Sequence, residues 1–393
     1  MSAPVLVHLT TTDMSLELLL GPQLEAFAAA GFRVVGLSAG GPYVDALRAR
    51  GIEHVALAHS TRAMAPHHDV RAVAELSSAL GRLRPDVLHT HNPKPGLYGR
   101  VVGRARRVPV VVNTLHGLYA LPEDPWAKRA VVYGLERLAA TCSQAELVQN
   151  PEDIDVLRRL RVPDERIVLL GNGLDLARFD PARADAGART SARAELGASG
   201  PDDVVVGLVG RLVREKGYPE VFEAAEALRS RCPTVRFAAI GPDEPDKDDG
   251  LGAADRARAE RAGVRLLGHR RDVESLYAGM DLFVLASHRE GFPRAAMEAA
   301  AMGIPVIATD IRGCRQVVDP DVTGLLVPVR DPGAIADAVA VLAADPDRRA
   351  RFAAAGRAKA EREFDQQRCI DTTLATYDRL LRRAGGRLPA GAA

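Results

Sequence analysis

Short apolar runs alternate with longer amphipathic stretches along most of the chain. In the first half the apolar runs are PVLVHLT, FRVVGLS, PDVLHTH and VPVVVNTLHG. In the second half they are DVVVGLVGR, TVRFAAIG, VRLLGH, DLFVLAS and IPVIATD. Apolar runs of strand length, separated by helical spacing, predict parallel strands covered by helices on both faces. The pattern therefore predicts an α/β protein with two doubly wound, Rossmann-like domains.

The boundary between the two domains is predicted where the strand pattern lapses. The segment GNGLDLARFDPARADAGARTSARAELGASGPDD is rich in Gly, Pro, Asp and Ala and contains no sustained strand pattern. We predict a first domain over residues 1–185 and a second domain over residues 186–365. Residues 366–393 are predicted to form a helix that packs back toward the first domain, followed by a frayed tail.

Composition excludes several function classes. Among 393 residues, 52 Lys and Arg nearly balance 51 Asp and Glu, so overall charge does not favour a nucleic-acid partner. The four cysteines lie far apart without a C-x-x-C pair, which fits a reducing compartment. The first residues lack the basic region of a signal peptide, and no apolar run approaches the roughly 20 residues of a membrane span. We expect a cytoplasmic protein, peripheral on the inner face of the membrane.

Ligand chemistry is expected in the loops that follow the strands, where helix N-termini favour anions. Arg211 follows the strand DVVVGLV, and Lys216 lies near the start of the next helix. A planar guanidinium and a compact ammonium can hold a diphosphate without a metal ion. The alternative for this stretch, GRLVREKG, is a solvated basic turn.

The stretch REGFPRAAMEAAAMGIPVIATD contains two carboxylates, Glu290 and Glu298. Gly291 and Pro293 predict that Glu290 lies in a loop and Glu298 inside the helix that follows. Both carboxylates can then reach one ligand, and the backbone N–H groups around Arg294 can bind an anion. The alternative is a pair of solvated glutamates. Alanines surround Glu298, however, so we expect its carboxylate to be partly buried and to need a donor such as a hydroxyl.

Together, GRLVREKG and EGFPRAAMEAAAMGIPVIATD resemble the retaining GT-B glycosyltransferases related to glycogen and sucrose synthases. The stretch RGCRQVVDPDVTGLLVPVRDP extends the resemblance, and HTHNPK, NTLHG and GNGLDLARF carry it more loosely into the first half. The resemblance implies two Rossmann-like domains facing each other across a cleft, the first for the acceptor and the second for a nucleotide-sugar.

The resemblance also implies roles for individual residues. Glu290 and His116 are implied as catalytic residues beside the transferred sugar, and Arg211, Lys216 and Arg294 as ligands of the donor diphosphate. Glu298 is implied to bind the ribose hydroxyls, and Gly268, His269 and Arg270 the base. The donor sugar is assigned to Gly291, Phe292 and Pro293, and the acceptor side to His89, His91, Lys94 and Thr12. We expect Glu290 to position the sugar and to stabilise positive charge at its ring, and not to attack it.

The implied function is retaining transfer of a hexose or N-acetylhexosamine from a nucleoside diphosphate sugar, most simply a UDP-sugar, to a glycan or lipid-linked glycan. No cofactor and no metal are expected. Three alternatives remain open: a nucleotide-sugar epimerase of the same fold, a glycosyltransferase of secondary metabolism, and a catalytically silent sensor of sugar nucleotides.

Two metal-site patterns carry less weight. His89 and His91 end one strand and His116 ends the next, which allows a three-histidine site, but no carboxylate or cysteine completes the set. Asp246 and Asp248 form a D-x-D pattern inside the Pro- and Asp-rich loop GPDEPDKDDG, which favours a solvated turn. No G-x-G-x-x-G stands in the register of a dinucleotide fold.

The helix predicted over PKPGLYGRVVGRARRV is basic, with Lys94, Arg100, Arg104, Arg106 and Arg107. Such a face is commonly just solvated, but it also fits docking on an anionic membrane that supplies a lipid-linked acceptor.

The loop after the first strand, LTTTDMSLELLLGPQL, departs from the Gly-rich loop of many relatives. Its hydroxyl groups, on Thr10, Thr11, Thr12 and Ser15, are predicted to offer hydrogen bonds and a helix N-cap. This variant resembles the bacterial family members that extend cell-surface polysaccharides or lipid-linked oligosaccharides.

Overall fold

The structure, a computed structural model, describes residues 3–61, 66–91, 93–117, 120, 124–244 and 247–389. The chain folds into two compact units, Met1–Gly171 together with Gln366–Ala393, and Asn172–Asp365. Each unit is built around one parallel sheet, so the predicted α/β class with two Rossmann-like sheets is confirmed.

The first unit contains seven strands and six helices before its C-terminal helix, among the residues that the structure describes. Its strands are β1 (Val5–Thr12), β2 (Arg33–Ala39), β3 (Glu53–Ala56), β4 (Val87–His91), β5 (Val110–Leu115), β6 (Ala145–Val148) and β7 (Ile167–Leu169). Its helices are α1 (Gly21–Ala29), α2 (Val44–Ala49), α3 (Pro66–Leu83), α4 (Pro93–Ala105), α5 (Trp126–Ala140) and α6 (Glu152–Arg159). The strand order is β3-β2-β1-β4-β5-β6-β7, so the direction of winding reverses between β1 and β4.

The second unit repeats this plan with six strands. They are β8 (Val204–Val209), β9 (Val235–Ile240), β10 (Val264–Leu266), β11 (Leu282–Leu285), β12 (Val306–Thr309) and β13 (Gly324–Val327). The helices are α7 (Ala186–Glu195), α8 (Tyr218–Arg231), α9 (Ala253–Ala262), α10 (Val273–Tyr277), α11 (Arg294–Ala301), α12 (Pro332–Ala344) and α13 (Pro346–Glu363). The order β10-β9-β8-β11-β12-β13 reverses between β8 and β11.

The first segment of this unit ends at Gly171, whereas the predicted boundary was residue 185. Leu174 and Phe179, in the segment without a strand pattern, are fully buried in the core of the second unit. Isolated apolar anchors in an irregular segment have no periodicity, so the sequence pattern does not distinguish such a segment from a linker.

The last helix, α14 (Gln366–Arg383), belongs to the first unit. Ile370 and Leu380 join the apolar cluster of that unit, and the Tyr377 ring packs edge-on against Phe27 at 5.6 Å between ring centroids. The chain therefore returns to its first sheet after completing the second.

The loop after β1 does not have the predicted N-cap. Ser15–Leu19 forms a π-helical turn whose N-cap is Met14, without a side-chain capping bond. Thr10 is buried, and its hydroxyl donates to the carbonyl of Thr12 at 2.9 Å. The N-cap prediction is wrong because the strand continues through Thr12 and uses one of these hydroxyls locally.

In the described part of the chain, no helix has both the length and the apolar character needed to cross a bilayer.

Candidate functional site

The reversal point of the second sheet brings two loops to one sheet edge. Strands β8 and β11 pair in parallel there, and the loops that follow them cover residues 210–217 and 286–293. In open α/β sheets, ligands bind beyond the carboxyl ends of the strands at such a reversal. The predicted diphosphate and sugar residues lie in these two loops, apart from Arg294, which is the first residue of α11.

Gly217 allows the two loops to touch. Its φ of 73° lies in the left-handed region, and a Cβ there would stand 2.1 Å from the carbonyl oxygen of Ala286. The backbone N–H of His288 also donates to the carbonyl of Glu215 at 2.8 Å. Only glycine fits this position, because any other side chain meets strained backbone and a fixed carbonyl at once.

Lys216 and Glu290 form an ion pair across the two loops. The Lys216 ammonium lies 2.5 Å from Glu290 Oε1, and the Ser287 hydroxyl donates to the same oxygen at 2.8 Å. A Cβ on Gly313 would stand 2.6 Å from the main-chain carbonyl oxygen of Glu290, so the backbone at Gly313 packs directly against the backbone of Glu290. The two side chains remain 20% and 12% exposed, so an anionic ligand can compete with Glu290 for the ammonium.

Glu298 lies in the second turn of α11 and is almost completely buried, with 9% of its surface exposed. The Tyr277 hydroxyl lies 3.2 Å from one carboxylate oxygen, and Arg294 Nε donates to the other at 3.3 Å. Burial and a hydroxyl partner both agree with the expectation from the surrounding alanines. Burial raises the pKa of Glu298, and the positive charge of Arg294 opposes that rise.

Arg211 does not contact Lys216 but pairs with the loop after β9. Its Nη1 lies 3.3 Å from Glu244 Oε2, and Lys247 contacts the same carboxylate. Arg211 remains exposed, so it is accessible to a ligand. Its role at the diphosphate stays a prediction. Of the D-x-D pattern, Asp246 lies outside the described residues.

The segment after β10 contains the predicted base-binding residues. Gly268 has a φ of 67°, and its carbonyl accepts a hydrogen bond from the Gly241 N–H at 2.8 Å. The Arg270 side chain is engaged by Glu195 and by Asp272, the latter at 2.7 Å. The protein therefore holds this guanidinium, and we expect a ligand to meet the backbone of the segment.

The predicted sugar loop is anchored to the core. Phe292 packs edge-on against Phe364 at 6.0 Å between ring centroids, and the buried Pro293 is the N-cap residue of α11. Both side chains thus shape the loop that carries Glu290 and Gly291. Phe292 is only partly buried, and the roles of Phe292 and Pro293 at the sugar stay predictions.

The reversal point of the first sheet holds a cluster of buried histidines. His8 on β1 pairs with His89 on β4, and His91 follows two residues later on the same face. All three rings are almost completely buried. His116 follows β5, and its ring lies next to that of His91.

These rings form a chain of hydrogen bonds toward Gln149. His8 Nδ1 lies 2.9 Å from His91 Nε2, His91 Nδ1 lies 3.2 Å from His116 Nε2, and His116 Nδ1 lies 3.2 Å from Gln149 Oε1. Burial lowers the pKa of His8 to about 3 and that of His116 to about 4, so both rings are neutral. The pKa of His91 is lowered well below its usual value for the same reason. Because an amide oxygen only accepts, His116 carries its proton on Nδ1, and the same holds for His91 and His8 in turn.

Tyr377 and His89 continue this series of hydrogen bonds at its other end, next to His8. The Tyr377 oxygen lies 2.5 Å from His89 Nδ1 and 3.5 Å from His8 Nε2, and the Thr114 hydroxyl lies 2.7 Å from His89 Nε2. If His89 donates from Nδ1 to the Tyr377 oxygen, the Tyr377 hydroxyl can donate to His8 Nε2. The Thr114 hydroxyl then donates to His89 Nε2. One arrangement of protons thus satisfies every contact in the cluster.

The cluster also has the spacing of a metal site, with ligand atoms of His8, His89 and His91 all within 4.8 Å of one another. Hydrogen bonds account for all six of their nitrogens, however. The predicted three-histidine alternative named His116 in place of His8, and the structure groups the residues differently. Direct contact of His89 and His91 with an acceptor does not fit their burial.

The other two acceptor-side candidates, Lys94 and Thr12, are both partly buried. Lys94 Nζ lies 2.5 Å from Asp69 and donates to the Thr61 carbonyl at 3.1 Å. Thr12 is partly exposed, and its hydroxyl faces that of Ser15 at 3.4 Å. Both therefore stay predictions for an acceptor contact.

Arg100 was predicted on an exposed basic face, and this prediction is wrong. Its side chain is 1% exposed and donates to Glu136 at 2.7 Å and to Glu146 at 2.9 Å. These two carboxylates, from α5 and β6, compensate its charge inside the unit. Sequence spacing on one helix does not reveal ion-pair partners that come from other elements. The other arginines of this stretch, Arg104, Arg106 and Arg107, are exposed as predicted.

Sequence reasoning missed several residues of both clusters. His8, Tyr377 and Gln149 complete the histidine chain, and Tyr277 and Ser287 support the two glutamates. A histidine inside the apolar strand VLVHLTTT was a usable signal for His8, because a buried polar group needs partners. Nothing local marked Tyr377, which lies 288 residues from its partner His89.

Two family models match the chain, one in each half. Residues 20–173 match the glycosyl transferase 4-like domain, and residues 191–359 match glycosyl transferases group 1. The first match includes β2 to β7 of the first unit, and the second includes all six strands of the second unit.

Curated relatives agree with these matches. The chain is 25% identical over 390 residues, 97% of this chain and 98% of the relative, to the capsular polysaccharide biosynthesis glycosyltransferase CapM of Staphylococcus aureus. It is 34% identical to a D-inositol 3-phosphate glycosyltransferase of Xylanimonas cellulosilytica, covering 77% and 74% of the two chains. It is 29% identical to the Escherichia coli UDP-Gal:alpha-D-GlcNAc-diphosphoundecaprenol alpha-1,3-galactosyltransferase, covering 67% of each.

Among solved structures, Anabaena Alr3699/HepE in complex with UDP and glucose superposes with a TM-score of 0.77. The alignment covers 94% of this chain and 98% of that one at 19% identity, which supports the fold alone. Two Rossmann-like units, a charged pair at the second reversal point and matches in both halves all agree. The chain belongs to the group 1 glycosyltransferases and is a transferase of GT-B fold.

Proposed function

We propose that this glycosyltransferase moves a hexose or N-acetylhexosamine from a UDP-sugar to a glycan or lipid-linked glycan, with retention of configuration and without a metal ion. The observation that carries the proposal is the Lys216–Glu290 pair at the reversal point of the second sheet. The names of two relatives support the substrates: one name refers to capsular polysaccharide biosynthesis, and the other to UDP-Gal and a diphosphoundecaprenol acceptor.

In this proposal the donor diphosphate replaces Glu290 as the partner of Lys216. The bond between the anomeric carbon and the diphosphate oxygen breaks, and an acceptor hydroxyl oxygen bonds to the same face of that carbon. The hydroxyl proton passes to the leaving diphosphate. Lys216, Arg211 and the backbone N–H groups at the start of α11 stabilise the negative charge that develops on the leaving group.

The released Glu290 then faces the sugar and stabilises positive charge on its ring. The Ser287 hydroxyl, 2.8 Å from the carboxylate, holds it in place during this exchange of partners. Glu298 accepts the ribose hydroxyls, since each of its carboxylate oxygens has one long hydrogen bond and can accept a further one. We also propose His116 as a catalytic residue, with its Nδ1–H as the hydrogen-bond donor that it offers to a substrate.

The donor is tested with a panel of UDP-, ADP- and GDP-sugars, scored by release of nucleoside diphosphate with a saccharide acceptor, with and without chelator. We expect turnover with a UDP-sugar and equal rates under chelation. The anomeric coupling in the product, measured by NMR, tests retention. Interconversion of donor sugars without an acceptor would identify an epimerase instead, and a chelator-sensitive rate would refute the metal-free mechanism.

Glu290→Gln tests the proposed role of the carboxylate. We expect kcat to fall about 100-fold while the donor KM changes little, because the amide keeps the size but not the charge. Glu361→Gln, an exposed position on α13, is the matched control and should retain full activity. Full activity of Glu290→Gln at saturating donor would contradict the assignment.

We further propose that the enzyme works peripherally at the cytoplasmic face of a membrane, where a lipid-linked acceptor is available. The diphosphoundecaprenol acceptor in the name of one relative supports this location.

A further inference from the structure

Helix α5 presents an unusual apolar face to solvent. Among the described residues, eleven large apolar side chains are exposed, and four of them lie on this one helix. They are Trp126 (80% exposed), Val131 (62%), Leu135 (43%) and Leu138 (59%). Single exposed apolar residues need no explanation, but a concentration on one helix marks an interaction surface.

The apolar side chains occupy one continuous side of the helix. At about 100° per residue, the exposed positions cover an arc of roughly 200°. Small and apolar residues fill the middle of that arc, namely Ala127, Ala130, Val131, Gly134, Leu135 and Leu138. The opposite side faces the unit, where Ala139 and Ala140 are buried and the Tyr133 hydroxyl donates to the Ala120 carbonyl at 3.0 Å.

Positive charges border the apolar arc. Exposed Lys128 lies at one edge and exposed Arg137 at the other. Lys128 pairs with Asp124, just before the helix, at 2.7 Å. The only carboxylate on the helix itself, Glu136, is occupied by the buried Arg100. The exposed side of α5 therefore combines apolar groups with cations and has no carboxylate of its own.

The neighbouring helix adds to the positive charge. α4 packs against α5, and Arg104 in the last turn of α4 and Arg106 and Arg107 just after it are exposed. An apolar stripe bordered by cations is the pattern of a helix that lies in the headgroup region of an anionic bilayer. Trp126, at the first turn, has the amphipathic ring that prefers this region.

We propose that the exposed face of α5, defined by Trp126, Val131, Leu135 and Leu138, docks the enzyme on an anionic lipid bilayer. This assignment rests on the proposed membrane location and deepens it by naming the surface. It also centres the surface on α5 and not on α4, as the sequence had suggested, since Arg100 is buried and Lys94 is paired with Asp69.

The test is co-sedimentation of the full chain with vesicles of phosphatidylcholine, with or without phosphatidylglycerol. We expect binding only when phosphatidylglycerol is present, and loss of roughly tenfold in affinity for Leu135→Glu and for Val131→Glu. Val341→Glu adds the same charge at an exposed valine of α12 and should bind like the wild type. Unchanged binding by Val131→Glu and Leu135→Glu would overturn the proposal.

A second copy of the chain is the alternative occupant of this face. Sedimentation velocity distinguishes it: a dimer that Leu135→Glu dissociates, together with no vesicle binding by the wild type, would also overturn the proposal. Turnover of a water-soluble saccharide acceptor should be unchanged in Leu135→Glu. If only the docking proposal is wrong, turnover of the water-soluble acceptor is still observed. If the proposed function is wrong, neither the wild type nor any variant shows that turnover.

Discussion

Both sheets reverse their winding at one point and both hold a polar cluster there, but the two clusters use opposite chemistry. In the first unit, His8, His89 and His91 are buried and neutral. In the second, Lys216 and Glu290 are charged and partly exposed. A neutral, sealed network fixes geometry, whereas a charged, accessible pair can exchange its partners for a ligand.

Desolvation explains why each cluster is tolerated where it lies. A neutral imidazole loses little on burial when both nitrogens are hydrogen-bonded, and the chain from Tyr377 to Gln149 provides those bonds. A charged pair keeps its charge more easily near water, and the direct contact between Lys216 and Glu290 compensates each partner. The same sheet position therefore supports positioning in one unit and anion binding in the other.

The largest effect expected from this contrast is selective acid instability of the first unit. The pKa of each buried histidine is lower when folded than its unfolded value near 6.5, so stability is complete above that value and is lost as pH falls toward the folded pKa. For one such ring the loss between pH 7 and pH 5 is about 2 kcal/mol. Calorimetry at both pH values should show that the unfolding temperature of the first unit falls more between pH 7 and pH 5 than that of the second unit.

Two variants sharpen this measurement. His8→Phe removes one titrating ring beside Phe27 and should reduce the acid sensitivity of the first unit. His269→Asn, at an exposed histidine of the second unit, should leave both transitions unchanged. Equal acid sensitivity of the two transitions in the wild type would show that the buried cluster does not control the first unit.

The next largest effect is on catalysis, from Lys216→Met. We expect kcat/KM to fall about 1000-fold, because the leaving diphosphate loses its fixed cation. The variant also leaves Glu290 without its ammonium partner, so unfolding must be measured in parallel. Lys216→Met with Glu290→Gln should recover stability but not activity.

Arg258→Met is the matched control for the lysine variant. It breaks the ion pair of Arg258 with Glu223, away from the loops at the reversal point, and should retain activity within about twofold. Substantial turnover by a correctly folded Lys216→Met variant would show that the charged pair is not part of the donor site.

A smaller effect is expected from Glu298→Gln, which separates nucleotide binding from chemistry. The Kd for UDP, measured by calorimetry, should rise about tenfold as one charged acceptor is lost. In the wild type that Kd should also rise as pH falls through the raised pKa of Glu298, because protonation removes an acceptor. Glu298→Gln should abolish this pH dependence, and Glu226→Gln, exposed on α8, should retain it. A UDP affinity of Glu298→Gln equal to the wild type would exclude the ribose contact.

The sequence predicted the periodic features of the fold better than its long-range contacts. Apolar runs such as DLFVLAS mark strands directly, and Gly291 with Pro293 separated the loop position of Glu290 from the helical position of Glu298. Partners from distant segments have no local signature, so Glu136 and Glu146 around Arg100 escaped prediction. The apolar anchors Leu174 and Phe179 escaped it for the same reason.

The smallest effect concerns the tautomer of His116. The neutral histidine cluster should keep the His116 proton on Nδ1. His91→Phe removes the ring that donates to His116 Nε2, so we expect a mixture of tautomers in place of Nδ1–H alone and a roughly threefold loss of kcat/KM. Nitrogen chemical shifts of labelled histidine report the tautomer without reference to activity. His8→Phe, equally buried, keeps the contact between His91 and His116 and should leave the His116 signals in place. Identical His116 shifts in His91→Phe and wild type would mean that Gln149 alone orients the ring, and that the histidine chain serves only packing.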